Sequence, residues 1–393
     1  LLFVTELIPL AITAMGGAIA CGLLGFIPAK QVFSGLSNST VVLFAGMFVV
    51  GAAMFYTGLA QKIGNTVVHF CGTGENSLMF GLMFVGAALS SVLSNTGTAA
   101  CLLPVALGIC SAAKIPASRQ LMPLAFAAGL GGTITLIGTP PNILANVALK
   151  AAGMPELQFG FFEYAWIGIP ITIAGIVYMM FIGKYLLPED SGTLNLEIDE
   201  EILENETSTQ KQIICGIIMV GVIGSMATGI VPLEIAAVVG AVIAVLTGCL
   251  TEKQAYNSID WVTIFLFAGM IPVATAMNTS GAGKLIAEAT VKMLGGDPSP
   301  YMVTAVLFGL AVVLTQFMSN TASKALLCPV GIALSAQMGA SPKAVLMAIL
   351  IASSCAFASP VGTPPNTLVL GPGGYKFMDY LKAGTGLVAV CLI

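Results

Sequence analysis

One sequence pattern, Ser-Asn-Thr inside an apolar run, occurs twice in this chain. "SNTGTAACLLPVA" begins at Ser94, and "SNTASKALLCPVG" begins 225 residues later at Ser319. Two further blocks recur in step: "TVVLFAGM" matches "TIFLFAGM" at an offset of 223, and "LIGTPPNIL" matches "PVGTPPNTL" at an offset of 224. An offset that stays constant within two residues over about 130 positions predicts two structural copies, an arrangement common in transporter folds.

The composition restricts these copies to a membrane protein. Charged residues make up 8% of the 393 residues and hydrophobic residues 57%, whereas a typical soluble domain is about 25% charged. A membrane helix needs about 20 mostly apolar residues, and the sequence predicts spans at 3–25, 40–59, 121–150, 163–186, 211–230, 232–250, 260–278 and 343–370. We therefore expect an all-α polytopic protein of the plasma (inner) membrane of a prokaryote, with lipid as its surroundings.

Polar sequence divides the two copies. Eight of the 18 acidic residues lie between positions 189 and 206, and such charge runs are usually solvated. The division predicts a first repeat at 1–186, an acidic connector at 187–210 and a second repeat at 211–393. Five crossings separate equivalent points, so the second copy is expected to be inverted. Both ends of the chain are apolar, and we expect at least one further span beyond each.

Each Ser-Asn-Thr motif interrupts an apolar segment with helix-capping residues. This predicts a hairpin of two short helices with its tip at membrane depth. Backbone groups exposed at such a tip cannot face lipid, because an unsatisfied group there costs several kcal/mol. Each tip must therefore face protein or a water-filled cavity, and two tips related by pseudosymmetry are expected to meet near the midplane.

The GTPPN motif at 138–142 and again at 362–366 predicts two broken helices. Paired prolines lack amide donors and force the preceding residue out of helical geometry, so the windows 121–150 and 343–370 are expected to unwind there. The carbonyls of the unwound chain can coordinate a cation. The N-termini of the half-helices that restart there direct the positive ends of their dipoles toward an anion. Ser, Asn and Thr side chains can bind either a carboxylate or a hard cation such as sodium.

Other function classes find little support. The nine cysteines occur singly and the single histidine has no cluster around it, so we expect neither a metal-dependent nor a nucleophilic enzyme, no bound organic cofactor, and no nucleic-acid partner. A channel could use similar hairpins, but two symmetric binding clusters fit alternating access better.

Paired SNT motifs, each followed after about 43 residues by a GTPPN motif, and "TELIPLAITA" near the start resemble the divalent anion/sodium symporter family of di- and tricarboxylate transporters. The resemblance implies an elevator-type homodimer with a scaffold domain and a transport domain. It also implies C4 dicarboxylates, citrate or sulfate as substrates, usually coupled to Na+. An inorganic anion transporter of the sulfate or arsenite type is the alternative.

The resemblance also implies site residues. The first sodium site would use Ser90, Ser94, Asn95 and the Gly138 carbonyl; the second would use Thr315, the Met318 carbonyl, Asn320 and the Gly362 carbonyl. A substrate with two anionic ends would lie between them. The residues expected to hold it and close the site are Asn95, Thr96, Thr139, Pro140, Ser319, Asn320, Thr321, Thr363 and Pro364.

Lys324 departs from the symmetry, because its counterpart in the first repeat is Ala99. A lysine at membrane depth costs roughly 2.5 to 3.5 kcal/mol on insertion scales and indicates a functional site; snorkelling to a cavity or the interface is the alternative. We expect its ammonium to replace a sodium ion near the second SNT motif and to contribute to substrate binding. This predicts an exchanger, or a symporter that needs fewer sodium ions.

Overall fold

The computed structural model describes residues 8–71, 74–188, 208–228, 230–282 and 299–392, together with residues 285, 288 and 292. The described residues form helices and connecting turns, with no strand among them. The helices of the first half are α1 (Leu10–Leu23), α2 (Ser39–Tyr56), α3 (Leu59–Cys71), α4 (Glu75–Ser90), α5 (Asn95–Ala113), α6 (Leu121–Gly131), α7 (Leu144–Ala151) and α8 (Ala165–Phe181).

The second half opens with one additional helix and then follows the order of the first, with two differences. A short helix at Glu252–Ser258 takes the place of 3-10 turns in the first half, and most residues equivalent to α3 lie outside the described part. The helices of the second half are α9 (Thr209–Thr228), α10 (Leu233–Leu246), α11 (Glu252–Ser258), α12 (Trp261–Thr279), α13 (Pro300–Thr315), α14 (Asn320–Gln337), α15 (Pro342–Ser354), α16 (Pro364–Leu370) and α17 (Phe377–Leu392). Short 3-10 turns lie at Ala29–Gln31, Ser34–Ser37, Ala117–Arg119, Pro140–Ile143, Pro155–Leu157 and Gly183–Leu186.

A helix or a pair of helices lies at each predicted span, and further helices lie outside the predicted spans. Among the described residues, α2 and α9 are long and apolar enough to cross a membrane alone, and α11 with α12 forms a pair bent by 54°. The prediction did not include α3, α11 and α17 as spans. Polar residues interrupt the first two of these helices, and α17 carries Asp379 and Lys382. The acidic connector at 189–207 and residues 1–7 lie outside the described part.

Both predicted hairpins and both predicted broken helices are present. Helices α4 and α5 form the first hairpin and α13 and α14 the second. The first broken helix consists of α6, an unwound stretch, the 3-10 turn at Pro140–Ile143 and α7; the second consists of α15, an unwound stretch and α16. Helix α6 is buried along its whole length, and residues 132–139 and 355–360 of the unwound stretches are almost all buried as well.

The two halves interlock at their outer helices. Helix α1 packs on α12, and α10 packs on α2. At one crossing a Cβ on Gly269 would lie 2.5 Å from the Ala14 backbone, and at the other a Cβ on Gly46 would lie 2.7 Å from the Ala237 backbone. Both pairs differ by the offset of 223, so the repeat extends upstream to α1 and α10, beyond the blocks recognised from sequence.

Candidate functional site

Each SNT motif turns the chain and caps the helix that follows it. The first hairpin reverses between Ser90 and Asn95, and the Ser94 hydroxyl accepts a hydrogen bond from the Gly97 amide at 3.1 Å. In the second hairpin the Ser319 hydroxyl accepts from the amide of Ala322 at 3.2 Å. The predicted capping role of the motif's serine is confirmed in both halves.

Oxygen atoms converge behind the first hairpin tip. One terminal atom of the Asn95 side-chain amide lies 2.8 Å from Ser90 Oγ and 3.2 Å from the carbonyl oxygens of both Ala128 and Gly138. The Ser90 hydroxyl donates to the Ala128 carbonyl at 2.7 Å. The tip of the hairpin and the unwound helix therefore meet through oxygen atoms, and Ser90 and Asn95 are buried there.

Such a cluster of oxygens permits two chemical states. The amide of Asn95 can present its nitrogen and donate to its neighbours, or it can present its oxygen and share a cation with them. Amide, hydroxyl and carbonyl oxygens are ligands that suit a hard cation. The geometry thus brings together three of the residues predicted for the first sodium site, Ser90, Asn95 and Gly138, while the Ser94 hydroxyl is engaged in capping.

The second hairpin repeats this arrangement. Thr315 Oγ1 lies 2.7 Å from Asn320 Oδ1 and donates to the Ser353 carbonyl at 2.7 Å. The unwound helix comes close here too, because a Cβ on Gly362 would lie 2.6 Å from the Thr315 carbonyl oxygen. The residues predicted for the second sodium site are therefore neighbours, with Met318 buried beside them at the tip.

The last residue of each GTPPN motif holds the unwound chain in shape. Asn142 Nδ2 donates to the Gly132 and Thr135 carbonyls, both at 3.0 Å. Asn366 Nδ2 donates to the equivalent Ala356 and Ser359 carbonyls, both at 2.8 Å. These asparagines are not among the site residues predicted from the sequence, although their place in a repeated motif could have identified them.

A tyrosine supports each of these asparagines from behind. Tyr164 donates to the Asn142 carbonyl at 2.9 Å, and Tyr380 donates to the Asn366 carbonyl at 2.7 Å. The two tyrosines differ by 216 residues rather than 224, since the connection after the second motif is shorter. Because the offset changes here, the similarity of this part of the two repeats is not visible in the sequence.

Lys324 is fully buried and joins the two halves. Its ammonium donates to Asn142 Oδ1 at 2.9 Å and to Ser354 Oγ at 2.8 Å. Both acceptors belong to neutral side chains, and neither is one of the predicted second-site ligands. Ser354 follows Ser353, whose carbonyl accepts from Thr315, so the ammonium lies near the second cluster while contacting the broken helix of the first half.

The other predicted residues surround these clusters. Thr139 and Thr363 are buried, Pro140 and Ser319 to Thr321 are half-buried, and Thr96 and Pro364 are exposed. A cavity of about 290 Å³ adjoins Ser94 and Pro140 on the side of α2. Helix α5 packs on α16, and α14 packs on the turn at Pro140–Ile143, so each hairpin contacts the broken helix of the opposite half.

Residues 1–326 of the chain match the family model of the citrate transporters, CitMHS. The chain belongs to this family. It is 30% identical to an uncharacterized transporter of Haemophilus influenzae over 100% of this chain and 87% of the relative. It is also 27% identical to the sodium-dependent dicarboxylate transporter SdcS of Staphylococcus aureus, over 97% of this chain and 80% of SdcS. The protein is thus an integral membrane transporter and not an enzyme, and the predicted family resemblance is confirmed.

Solved structures share the fold. The Neisseria gonorrhoeae efflux pump MtrF matches with a TM-score of 0.66 at 13% identity, covering 95% of this chain and 83% of MtrF. The Alcanivorax borkumensis YdaH transporter matches with a TM-score of 0.60 at 17% identity, covering 95% of this chain and 85% of YdaH. At these identities the likeness establishes an all-helical transporter fold.

Proposed function

We propose that this protein carries C4 dicarboxylates such as succinate, malate or fumarate, or 2-oxoglutarate, by sodium symport or by anion exchange. The observation that carries the proposal is the pair of oxygen clusters, built alike from a hairpin tip and an unwound helix in each half. Two equivalent clusters suit a ligand with two anionic ends. The similarity to a sodium-dependent dicarboxylate transporter supports the same substrate class and coupling ion.

Each cluster would hold one Na+ next to one substrate carboxylate. Ser90, Asn95 and Gly138 supply oxygens in the first cluster, with Ser94 at the tip. The hydroxyls and amides of the SNT motifs then bind the carboxylates, and Thr139 and Thr363 close the site from the broken helices. The second cluster uses Thr315, Met318, Asn320 and Gly362.

Lys324 supplies a fixed positive charge in this scheme. Its described contacts are neutral, so an anionic substrate is the group that compensates its charge. An empty site would expose this charge, which opposes return of the empty carrier and favours exchange of one anion for another. Lys324→Ala is therefore expected to lower exchange at least tenfold and to change its cation dependence. Lys253→Ala, which removes an exposed lysine on α11, is the control, and full activity of Lys324→Ala with unchanged cation dependence would reject this role.

The proposed transport cycle is an elevator movement in a homodimer. The interlocked helices α1, α2, α10 and α12 form the scaffold, and the hairpins with the broken helices form the moving part. The division of the chain into repeats at 1–186 and 211–393, joined by a polar connector at 187–210, belongs to the same proposal. Inverted copies would bring one hairpin in from each side of the membrane, with the two tips meeting near the midplane.

Uptake of radiolabelled succinate into proteoliposomes of the full-length protein tests the function. If the protein is a symporter, uptake requires an inward Na+ gradient and does not depend on internal succinate. If it is an exchanger, uptake requires internal succinate. Competition by unlabelled sulfate and arsenite measures the inorganic alternative. Saturable uptake of sulfate or arsenite without succinate uptake would overturn the dicarboxylate proposal.

A further inference from the structure

The asparagines of the two GTPPN motifs differ in one buried atom. Both Nδ2 groups donate to two carbonyls of the unwound chain, so both side-chain amides have the same fixed orientation. In the first half the remaining atom, Asn142 Oδ1, accepts from the Lys324 ammonium at 2.9 Å. In the second half Asn366 Oδ1 is buried without a hydrogen-bond partner among the described residues.

Turning the amide of Asn366 does not remove this difference. Its two hydrogens already meet two carbonyls at 2.8 Å, and a turned amide would direct oxygen at oxygen. A buried amide oxygen without a partner is strongly unfavourable inside a membrane protein. We therefore expect a group outside the polypeptide to meet Asn366 Oδ1.

The sequence shows which group is missing beside Asn366. The counterpart of Lys324 is Ala99 on α5, and α5 packs on α16, which carries Asn366. The residue before Ala99 is Thr98, whose hydroxyl, like that of its counterpart Ser323, is fully buried and without a partner in the described part of the chain. Around Asn142 the chain itself thus provides the cation. Around Asn366 it provides none, and the Asn366 amide oxygen and the Thr98 hydroxyl on α5 are both without partners among the described residues.

We propose that Asn366 Oδ1 and the Thr98 hydroxyl bind an additional Na+ between α5 and α16, where pseudosymmetry matches the ammonium of Lys324 in the other half. This inference rests on the proposed sodium-coupled function and adds a cation to the two of the hairpin clusters. An amide oxygen and a hydroxyl are ligands that Na+ accepts. The positive charge of this ion, like that of Lys324, stabilises a dianionic substrate bound in the site.

Counting bound ²²Na+ on the purified full-length protein tests the site without any transport assay. Ala99→Lys should place an ammonium against Asn366 Oδ1 and lower the number of bound Na+ by one per protomer. Ala99→Met, a neutral side chain of similar length, should also displace the ion. It should reduce succinate uptake more than Ala99→Lys does, because it restores no charge.

The reverse exchange provides a second variant with the opposite sign. Lys324→Ala frees Asn142 Oδ1 and the Ser354 hydroxyl, so it should raise the number of bound Na+ by one. A count that is unchanged in Ala99→Lys, Ala99→Met and Lys324→Ala would overturn the inference and leave an ordered water as the partner of Asn366. A wild type that binds Na+ but transports no dicarboxylate would contradict the proposed function alone, since the ion count is made without substrate.

Discussion

The polar side chains at the hairpin tips each perform a structural task that also prepares a binding site. Ser94 and Ser319 cap helices, while Ser90 and Thr315 each tie the end of a hairpin helix to a carbonyl of the broken helix in the same half. Because each tie joins hairpin to broken helix, a ligand that contacts both elements depends on it. Substitutions at these positions should therefore affect ligand affinity before they affect folding.

Ser90→Ala should raise the Na+ concentration that half-saturates uptake about tenfold, which corresponds to about 1.4 kcal/mol of lost binding. The substitution removes a hydroxyl 2.8 Å from the Asn95 amide and a bond to the Ala128 carbonyl. Sodium titration of succinate uptake measures the effect. Ser91→Ala is the matched control, because the Ser91 hydroxyl only bonds the Ala88 carbonyl within its own helix turn. Equal half-saturation in both variants would count against the first cluster as a sodium site.

The local geometry of the two tips could be predicted from the sequence, because capping and helix breaking are local properties. The capping serines and the unwinding at the paired prolines follow from the motifs alone. The roles of Asn142 and Asn366 depend on which carbonyls the unwound chain turns inward, and Lys324 reaches across to the other half. Such contacts between distant segments are set by packing, which a single sequence does not reveal.

At the scale of helices, glycine permits the closest crossings. At Gly46 on α2 and Gly269 on α12, the backbone of a helix from the opposite half comes so close that an added Cβ would overlap with it. Small residues at such crossings let membrane helices pack tightly. The same crossing occurs in both halves, so we expect the outer helices to move as one unit.

Gly269→Ala should destabilise the protein by about 1–3 kcal/mol, the usual cost of overpacking. Its Cβ would lie 2.5 Å from the Ala14 backbone, and a helix backbone cannot move away as a flexible side chain can. Thermal unfolding in detergent measures the loss. Gly16→Ala on α1 is the control, since among the described residues nothing beyond its own helix turn lies within 4 Å of its added Cβ, and it should leave stability equal or slightly higher. Equal melting of Gly269→Ala and wild type would contradict the close crossing.

Sequence comparison recovered the middle of each repeat and missed its ends. Helices α1 and α10 begin after equivalent prolines, Pro9 and Pro232, and are followed by Gly25 and Gly248 with positive φ of 78° and 70°. These four residues keep the offset of 223 and could have extended the repeat upstream. Downstream, the connection differs in length between the halves, which shifts the offset and hides the similarity.

At the scale of the whole molecule, each half supports the other. The Lys343 ammonium lies 2.6 Å from the Glu163 carboxylate, and the Tyr375 hydroxyl donates to the Ser118 carbonyl at 2.6 Å. In each contact a segment that follows one broken helix is attached near the start of the other half's broken helix. The two broken helices are therefore expected to move together, as a transport domain of an elevator requires.

Bridging the proposed scaffold to a hairpin tip should stop transport. Cysteines at Gly51 on α2 and Leu93 at the first tip are suitable, because a Cβ on Gly51 would lie 3.6 Å from the Leu93 side chain. In a background without the native cysteines, Hg2+ should abolish succinate uptake and a thiol reductant should restore it. The control pair, Gly86 and Ala127, lies inside the moving part with a Cβ separation of 3.7 Å, and its bridging should leave uptake intact. Uptake that persists after complete bridging of Gly51 to Leu93 would contradict the elevator movement.

The oxygen clusters behind the two hairpin tips are proposed to bind Na+ on either side of a dicarboxylate. A cryo-electron microscopy map of the full-length protein with Na+ and succinate would show this binding. We expect ion density among Ser90, Asn95 and the Gly138 carbonyl, equivalent density at Thr315 and Asn320, and succinate between them. Succinate density elsewhere, with the nitrogen of the Asn95 amide donating to the Ala128 and Gly138 carbonyls, would contradict it.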